Sequence, residues 1–488
     1  MRRVQRPWHS FYPADVAPSA VYPAIPLWGF LERAAGEHAE KVAVVDGEQA
    51  MSYAALWTRV QEAAGWMRAS GAGPGDRVML RLSNSIAFPV AYYGALRAGC
   101  VAVAVHPDLP EAEVKSIAED VEPALVLDDE HGPGAAAPPP PEPPGLAVLQ
   151  ATSGTTGRPK AARMSHANLV ANALQNARWF GWRSSEVVLG VLPLCHTWGM
   201  CVCLNSTFAV GDTLVLQRRF DPRETLEAAA RHRATVLYGS ATMFWRLLDL
   251  PPHPLPHLRH AKAGAMLSQG GLKERWDAAY PGAPLQQGYG LTEASPECHN
   301  NPPHRFKRGT VGVPIQDTDC TIRDPEDPGR VLPPGEAGEV CLKGPQVTEG
   351  YWRRPGETAA AFHDGWLRTG DIGVMDDEGY LAIVDRKKDL LKFRGYTVSP
   401  NAVEECLLRH PAVAEAVVVG RPDDRDGDVP TAFVVLKDGA ALDALEAHCR
   451  ERLARWEVPR AFVPVDAIPK NHVGKPLRRV LRDRLAGG

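Results

Sequence analysis

The chain has 488 residues, 44% hydrophobic and 23% charged, with a formal net charge of −4 at pH 7. Its length exceeds one ordinary core and implies two or more domains, and the near-balanced charge gives no electrostatic case for nucleic acid. No apolar run is long enough for a membrane span, and the basic start "MRRVQRPWHSFYPADV" lacks the apolar stretch of a signal peptide.

Elements alternate from the start. "LWGFLERAAGEHAE" has apolar residues at helical spacing, "KVAVVD" reads as a short strand, and "SYAALWTRVQEAAGWMRASG" reads as a helix ending at Gly71. "DRVMLRL" and "CVAVAV" are buried strands with a helix between them. Strands alternating with helices imply an α/β fold around a mostly parallel sheet. Residues 131–145, "HGPGAAAPPPPEPPG", carry too little apolar surface for a core and read as a mobile surface excursion. The βα alternation then resumes to about residue 300. Between about 305 and 385, short strands ("GTVGVPI", "CTIRD", "GEVCLKG") and Pro/Gly turns predict a small β-rich subdomain. Beyond it, Ser399 as N-cap and Pro400 at the first helical position open a helix. "VAEAVVVG" and "TAFVVLKDG" read as strands and "ALDALEAHCRERLARW" as an amphipathic helix, together a small α+β domain. The nine cysteines show no C-x-x-C pair, and Cys201 and Cys203 form only C-x-C in an apolar run. They read as reduced core thiols of a cytoplasmic protein.

One stretch stands out chemically. "TSGTTGRPK", Thr152 to Lys160, follows the apolar run "GLAVLQA" and combines glycines, hydroxyls and a lysine. Glycines let backbone N–H groups approach phosphate, hydroxyls donate and lysine neutralises. The spacing is not that of a Walker loop, because Arg158 and Pro159 separate Gly157 from Lys160. Downstream lie His196 and Trp198 in "PLCHTWGM", a Gly288-Tyr289-Gly290 turn before Thr292 and Glu293 in "QQGYGLTEAS", and Asp371 in an expected tight turn within "GWLRTGDIG". "VDRKKDLLKFRG" crowds Arg386, Lys387, Lys388, Lys392 and Arg394 together, and "PKNHVGKPLRR" presents Lys475 on a polar loop. Each alone has an ordinary explanation: a core histidine, a local Gly-Asp turn, a solvated charge run, a surface lysine.

In order, TSGTTGRPK, PLCHTWG, GYGLTEAS, GWLRTGD, DRKKDLLKFRGYTVSPNAVE and PKNHVGK resemble the adenylate-forming superfamily of acyl-CoA synthetases, luciferases and adenylation domains, from about residue 25 to residue 482. "GYGLTEASPECHNNP" and "DRKKDLLKFRGYTVSPNAVEECLLRHPAV" look most like fatty-acyl and aryl CoA ligases. The resemblance implies a large N-terminal domain over residues 1–387, built of βα-layered subdomains and the β-rich subdomain, and a mobile C-terminal domain over residues 388–488. It implies ATP, Mg²⁺ and CoA as cofactors, and a carboxylic acid as substrate.

Roles follow by resemblance. Thr152, Ser153, Gly154, Thr155, Thr156, Gly157 and Lys160 would hold the β- and γ-phosphates. Tyr289 would stand with the nucleotide-binding residues, Thr292 would bond the α-phosphate, and Glu293 would place Mg²⁺. Asp371 would accept both ribose hydroxyls with Arg386 in support. Lys475 would bridge the carboxylate and α-phosphate during adenylation. Lys388 would be the hinge of a domain rotation that brings Lys392 and Gly395 to the site, Gly395 lining the pantetheine tunnel. His196 would gate an acyl pocket formed around Tyr238, Gly264, Gly288 and Gly290, whose glycines leave room for an acyl or ring system. Thr197 and Trp198 stand where amino-acid-activating relatives carry an aspartate. A buried unpaired ammonium is costly, so the acid is expected to lack an α-amine. The sequence departs from the family at Ala161, usually glycine, and at Ala104, commonly proline. Three alternatives share these motifs: loading of an acyl carrier protein, retention of the thioester-forming half-reaction alone, and non-catalytic binding of an acyl nucleotide.

Overall fold

The computed structural model describes residues 6–137, 145–152, 160–264, 271–437, 442, 444–470 and 476–486. The architecture among them is α/β, as the alternating patterns imply. One five-stranded sheet runs Leu125–Asp128, Arg77–Arg81, Val101–Ala104, Leu146–Thr152, Lys160–Ser165, parallel except for its last pair. Its Val/Ala/Leu-rich strands are covered on both faces, as parallel strands require.

A nine-stranded sheet lies beside it. The strands Leu285–Gly290, His260–Gly264, Val236–Ser240, Val187–Gly190, Thr213–Leu216 and Val42–Asp46 are parallel neighbours. Glu297–Asn300 then Val313–Pro314 extend one edge antiparallel, and Gln49–Ser52 extends the other. "GTVGVPI" therefore contributes its short strand to the large sheet rather than to the β-rich part. The Gly288-Tyr289-Gly290 segment is likewise strand, not a flexible turn: Gly288 pairs with Asn300 and Tyr289 with His299. Glycine is needed there for close approach. A Cβ at position 288 would lie 2.2 Å from Asn300 Oδ1 and 2.7 Å from the His299 carbonyl, and one at 290 would lie 2.3 Å from the Pro296 carbonyl.

The helix His166–Trp179 begins with a capping box at Ser165 and is buried along nearly its whole length. Its buried amides reach outward: Asn172 Nδ2 donates to the Glu297 carbonyl (2.8 Å), Gln175 Nε2 to that of Gln316 (2.6 Å), and Asn168 Nδ2 to those of Pro345 and Val347 (2.8 and 3.1 Å). Buried polar groups are stable only when so paired, and these bonds fix the helix against the strand Glu297–Asn300 and the chain leading to the β-rich sheet.

That sheet orders Asp319–Arg323, Ala337–Lys343, Trp366–Met375 and Phe362–His363, with Leu381–Arg386 also paired to Trp366–Met375. Asp371 sits inside a ten-residue strand, not in a tight turn. A further sheet orders Tyr396–Val398, Leu391–Phe393, Gly427–Leu436 and Val413–Asp423, with Ala461–Pro464 paired to Gly427–Leu436. It encloses its own core, including Phe393, Val403, Leu407 and Val418. The helix Pro400–Leu408 starts as expected, with Ser399 Oγ accepting from the Ala402 N–H at 3.3 Å. Among the described residues of the amphipathic stretch after residue 440, Leu445–Arg450 is α-helix. Asp385 crosses between the two sheets: its Oδ2 accepts from Ser399 Oγ (2.8 Å) and the Asn401 N–H (3.0 Å).

All nine cysteines are free and buried. Among the described residues no helix is long and apolar enough to cross a membrane. Gly288→Ala is expected to destabilise the fold by about 1–3 kcal/mol, since the added methyl overpacks against backbone; thermal denaturation checks it, and an unchanged midpoint contradicts the close approach.

Candidate active site

The hairpin Leu146–Thr152/Lys160–Ser165 supplies the foot of the phosphate-type loop. Thr152 pairs with Lys160, and its Oγ1 donates to the Lys160 carbonyl at 3.1 Å. Ser153, Gly154, Thr155, Thr156 and Gly157 lie outside the described residues, as does Lys475. Ala161 sits in extended strand without positive φ, its carbonyl accepting the Trp352 N–H at 2.8 Å, so its methyl group is accommodated without backbone strain.

From that foot a chain of contacts leads to Glu293. The Lys160 ammonium stands 3.6 Å from the centre of the Tyr351 ring, and the Tyr351 hydroxyl donates to Glu293 Oε1 at 2.8 Å. Tyr351 is placed by backbone bonding alongside the Lys160–Ser165 strand, through its bridge to Ala162 and the Arg163 N–H donating to the Gly350 carbonyl at 2.9 Å. The Glu293 carbonyl accepts the Thr348 N–H at 2.8 Å. Burial lowers the Lys160 pKa, an effect that the Glu293 and Glu357 charges oppose. Burial and then the neighbouring Glu293 charge push the Tyr351 phenol up, so it stays a donor. Tyr351 was not singled out in the sequence. An aromatic after Gly350 gives no sign that the chain returns beside residue 162.

A second cluster surrounds Asp371, which is buried. The Tyr289 hydroxyl donates to its Oδ2 at 2.5 Å, Arg386 Nε lies 3.5 Å from its Oδ1, and the Asp371 N–H donates to Thr369 Oγ1 at 3.1 Å. The pairing of Trp366–Met375 with Leu381–Arg386 sets Asp371 directly opposite Arg386. Burial holds the Tyr289 phenol well above its ordinary pKa, keeping its proton for Asp371. Thr292 opens the short 3₁₀ turn Thr292–Ala294, with Thr197 Oγ1 donating to its Oγ1 at 3.5 Å beside His196. The strand Leu285–Gly290 and its following turn thus carry Tyr289 to one cluster and Glu293 to the other.

The expected acyl-pocket residues are placed differently from the expectation that their glycines leave room. A Cβ at Gly264 would lie 2.6 Å from the Trp198 ring, and one at Gly288 would meet Asn300 and, at 3.0 Å, Lys262 Cε. Tyr238 is fully buried, its ring 5.9 Å from that of Phe180 and 5.8 Å from that of Trp182. Next to it, Lys262 forms an ion pair with Glu297 in which neither side chain is more than 5% exposed. Sequence reading missed this pair. Its signal is the lysine flanked by alanines in the buried strand His260–Gly264. His196 is partly exposed, and its Nδ1 accepts the Trp198 N–H at 3.3 Å.

The run of basic residues disperses. Lys387 Nζ donates to the Pro325 carbonyl at 2.9 Å, and burial lowers the Lys388 pKa, helped by the adjacent Arg386 charge. Lys392 bonds within the C-terminal sheet, Nζ to Thr397 Oγ1 at 2.7 Å and N–H to Asp428 Oδ2 at 3.0 Å. Gly395, φ 82°, turns the exposed hairpin and has open space around it. Among the described residues no group of three or more His, Cys, Asp or Glu could hold a metal ion.

Comparison with known proteins bears on this arrangement. The AMP-binding enzyme family matches residues 31–138 and 128–352, and the AMP-binding enzyme C-terminal domain matches residues 402–475. A long-chain-fatty-acid–CoA ligase of Bacillus subtilis (strain 168) is 33% identical over 98% of both chains. A feruloyl-CoA synthase of an Amycolatopsis species is 34% identical over 91% of this chain and 95% of its own. Among solved structures, o-succinylbenzoate CoA synthetase from B. subtilis, in complex with the acyl-adenylate intermediate OSB-AMP, superposes with a TM-score of 0.87 at 31% identity, covering 94% of this chain and 98% of that one. With one match over most of its first 352 residues and a second over residues 402–475, the chain belongs to the AMP-binding enzyme family.

Proposed function

We propose that the chain is an AMP-forming acid–thiol ligase that activates a carboxylic acid lacking an α-amine and transfers it to coenzyme A. In the first step a carboxylate oxygen bonds to the α-phosphorus of ATP while the bond to the β-phosphate oxygen breaks and pyrophosphate leaves. In the second a thiolate sulfur bonds to the acyl carbon, the carbon–oxygen bond to AMP breaks, and the thiol proton passes to solvent. The observation that carries this reading is the Lys160–Tyr351–Glu293 contact chain, which ties the foot of the glycine- and threonine-rich loop to a carboxylate.

Both reactants of the first step are anions, so neutralisation and orientation dominate its barrier. Lys160 and the loop after Thr152 grip the outer phosphates, and arrival of that charge favours the protonated lysine that burial disfavours. Thr292 donates to the α-phosphate. Glu293 suits magnesium, a hard cation that takes one or two carboxylates plus substrate phosphates, and that supplies charge neutralisation when bound. Asp371, held by Tyr289 and Arg386, accepts the ribose hydroxyls. Lys475 places its charge between the carboxylate and the α-phosphate. Lys388 is the pivot about which the C-terminal sheet turns to present the Lys392–Gly395 hairpin for the thiol step, with Gly395 flanking the thiol's approach and His196 at the acyl entrance.

Lys475→Ala is expected to abolish pyrophosphate release while thioester formation from a supplied acyl-adenylate persists; equal loss of both would contradict the assigned role. Asp371→Asn should raise the KM for ATP about tenfold or more, the scale of a lost charged hydrogen bond, with a smaller effect on kcat. Steady-state kinetics at saturating acid decide this, and an unchanged KM removes Asp371 from the ribose site. Lys388→Pro should leave pyrophosphate release intact and slow thioester formation. Unaltered overall turnover would exclude a pivot there.

A further inference from the structure

The parallel register sets Tyr238 beside Lys262 and Ser240 beside Gly264, and alternation along a strand puts Lys262 and Gly264 on one face of the nine-stranded sheet. On that face the absent glycine side chains are replaced by other parts of the protein. The Trp198 ring fills the space in front of Gly264, and Asn300 and the Lys262 stem fill the space in front of Gly288. The part of the filling supplied by Asn300 and Lys262 is held firmly. Asn172 Oδ1 accepts the Glu297 N–H at 3.1 Å and its Nδ2 donates to the Glu297 carbonyl at 2.8 Å; Asn300 Nδ2 donates to Glu297 Oε2 at 3.1 Å, the oxygen that also receives the Lys262 ammonium.

Taking the ligase reading as its basis, we propose that Trp198 and the Lys262–Glu297 pair close the far end of the acyl site, and that the substrate is a compact acid, a short chain or a single ring, rather than a long-chain fatty acid. A long alkyl chain continuing past Gly264 and Gly288 would have to displace an indole ring and then lie against a buried ion pair. Such a pair does not yield readily, because separating its members leaves a desolvated charge without a partner. A flat ring or short chain needs neither displacement, and finds the Trp198 face as its end wall. Trp198 and Lys262 are therefore residues that set acyl length in this chain, whatever length its relatives accept.

The test measures pyrophosphate release and CoA-thioester formation with butyrate, benzoate, octanoate and palmitate. For the unaltered protein, kcat/KM for butyrate or benzoate is expected to exceed that for palmitate by about a hundredfold or more, since several unaccommodated methylenes each weigh against binding. Palmitate turned over as well as the compact acids would overturn the length limit and leave the ligase reading standing. No pyrophosphate from any acid would sink the ligase reading itself, and the length limit with it. Trp198→Ala should move the octanoate-to-butyrate ratio of kcat/KM about tenfold toward octanoate. A ratio cancels any loss of folded protein. The volume-matched double variant Lys262→Met/Glu297→Met, which removes the buried charges together, should move the ratio the same way. If neither variant shifts it, the closed end is not where the chain measures its acid.

Discussion

The strand that backs the site depends on how one residue, Glu297, is held. Its backbone N–H and carbonyl are both taken by Asn172 from a buried helix, and its carboxylate by Lys262 and Asn300 from the sheet. Removing one member of such a buried pair typically costs about 3–5 kcal/mol, although replacing both by apolar groups is often neutral. The arrangement is thus a constraint more than a source of stability. It pins the strand Glu297–Asn300 immediately after the turn that carries Thr292 and Glu293, and pulls that strand against Gly288 so closely that no side chain fits.

From this anchored strand the chemistry spreads in two directions. Toward the parallel five-stranded sheet, Glu293 reaches the loop foot through Tyr351, a residue that belongs to neither motif. Toward the β-rich sheet, Tyr289 reaches Asp371, whose position is set by strand pairing to Arg386. Both tyrosines do the same physical work: a buried phenol, kept protonated by burial, fixes the orientation of a carboxylate. An acid oriented in advance loses less freedom when a nucleotide arrives.

The α/β class and most element positions were legible because periodicity and turn residues report them directly. Ser399 and Pro400 announced their helix, and Val/Ala-rich runs announced the parallel strands. What misled was local composition. Gly288-Tyr289-Gly290 reads as a turn because glycine favours turns, yet here glycine answers to a neighbouring backbone and amide. Asp371 after Gly370 reads as a turn for the same reason, yet it lies opposite Arg386 in a long strand. Lys262 and Tyr351 were invisible because their meaning depends on partners 35 and 58 residues away, which no local pattern encodes. The space in front of a glycine is equally unreadable from sequence, since it belongs to whichever distant side chain occupies it.

Asp385 carries a further consequence. The C-terminal elements are bound to one another, with Arg478 Nη2 donating to Asn401 and Glu404, and Arg482 to Asp389, so they form one unit. Asp385, three positions before Lys388, holds that unit through Ser399 and Asn401. The turn about Lys388 proposed above would have to release both bonds. With a charged acceptor each is worth about 1.5–3 kcal/mol in a protein interior. In the proposed rotation Asp385 would act as a detent, giving the small domain a discrete resting angle and making departure from it a thresholded event instead of a drift.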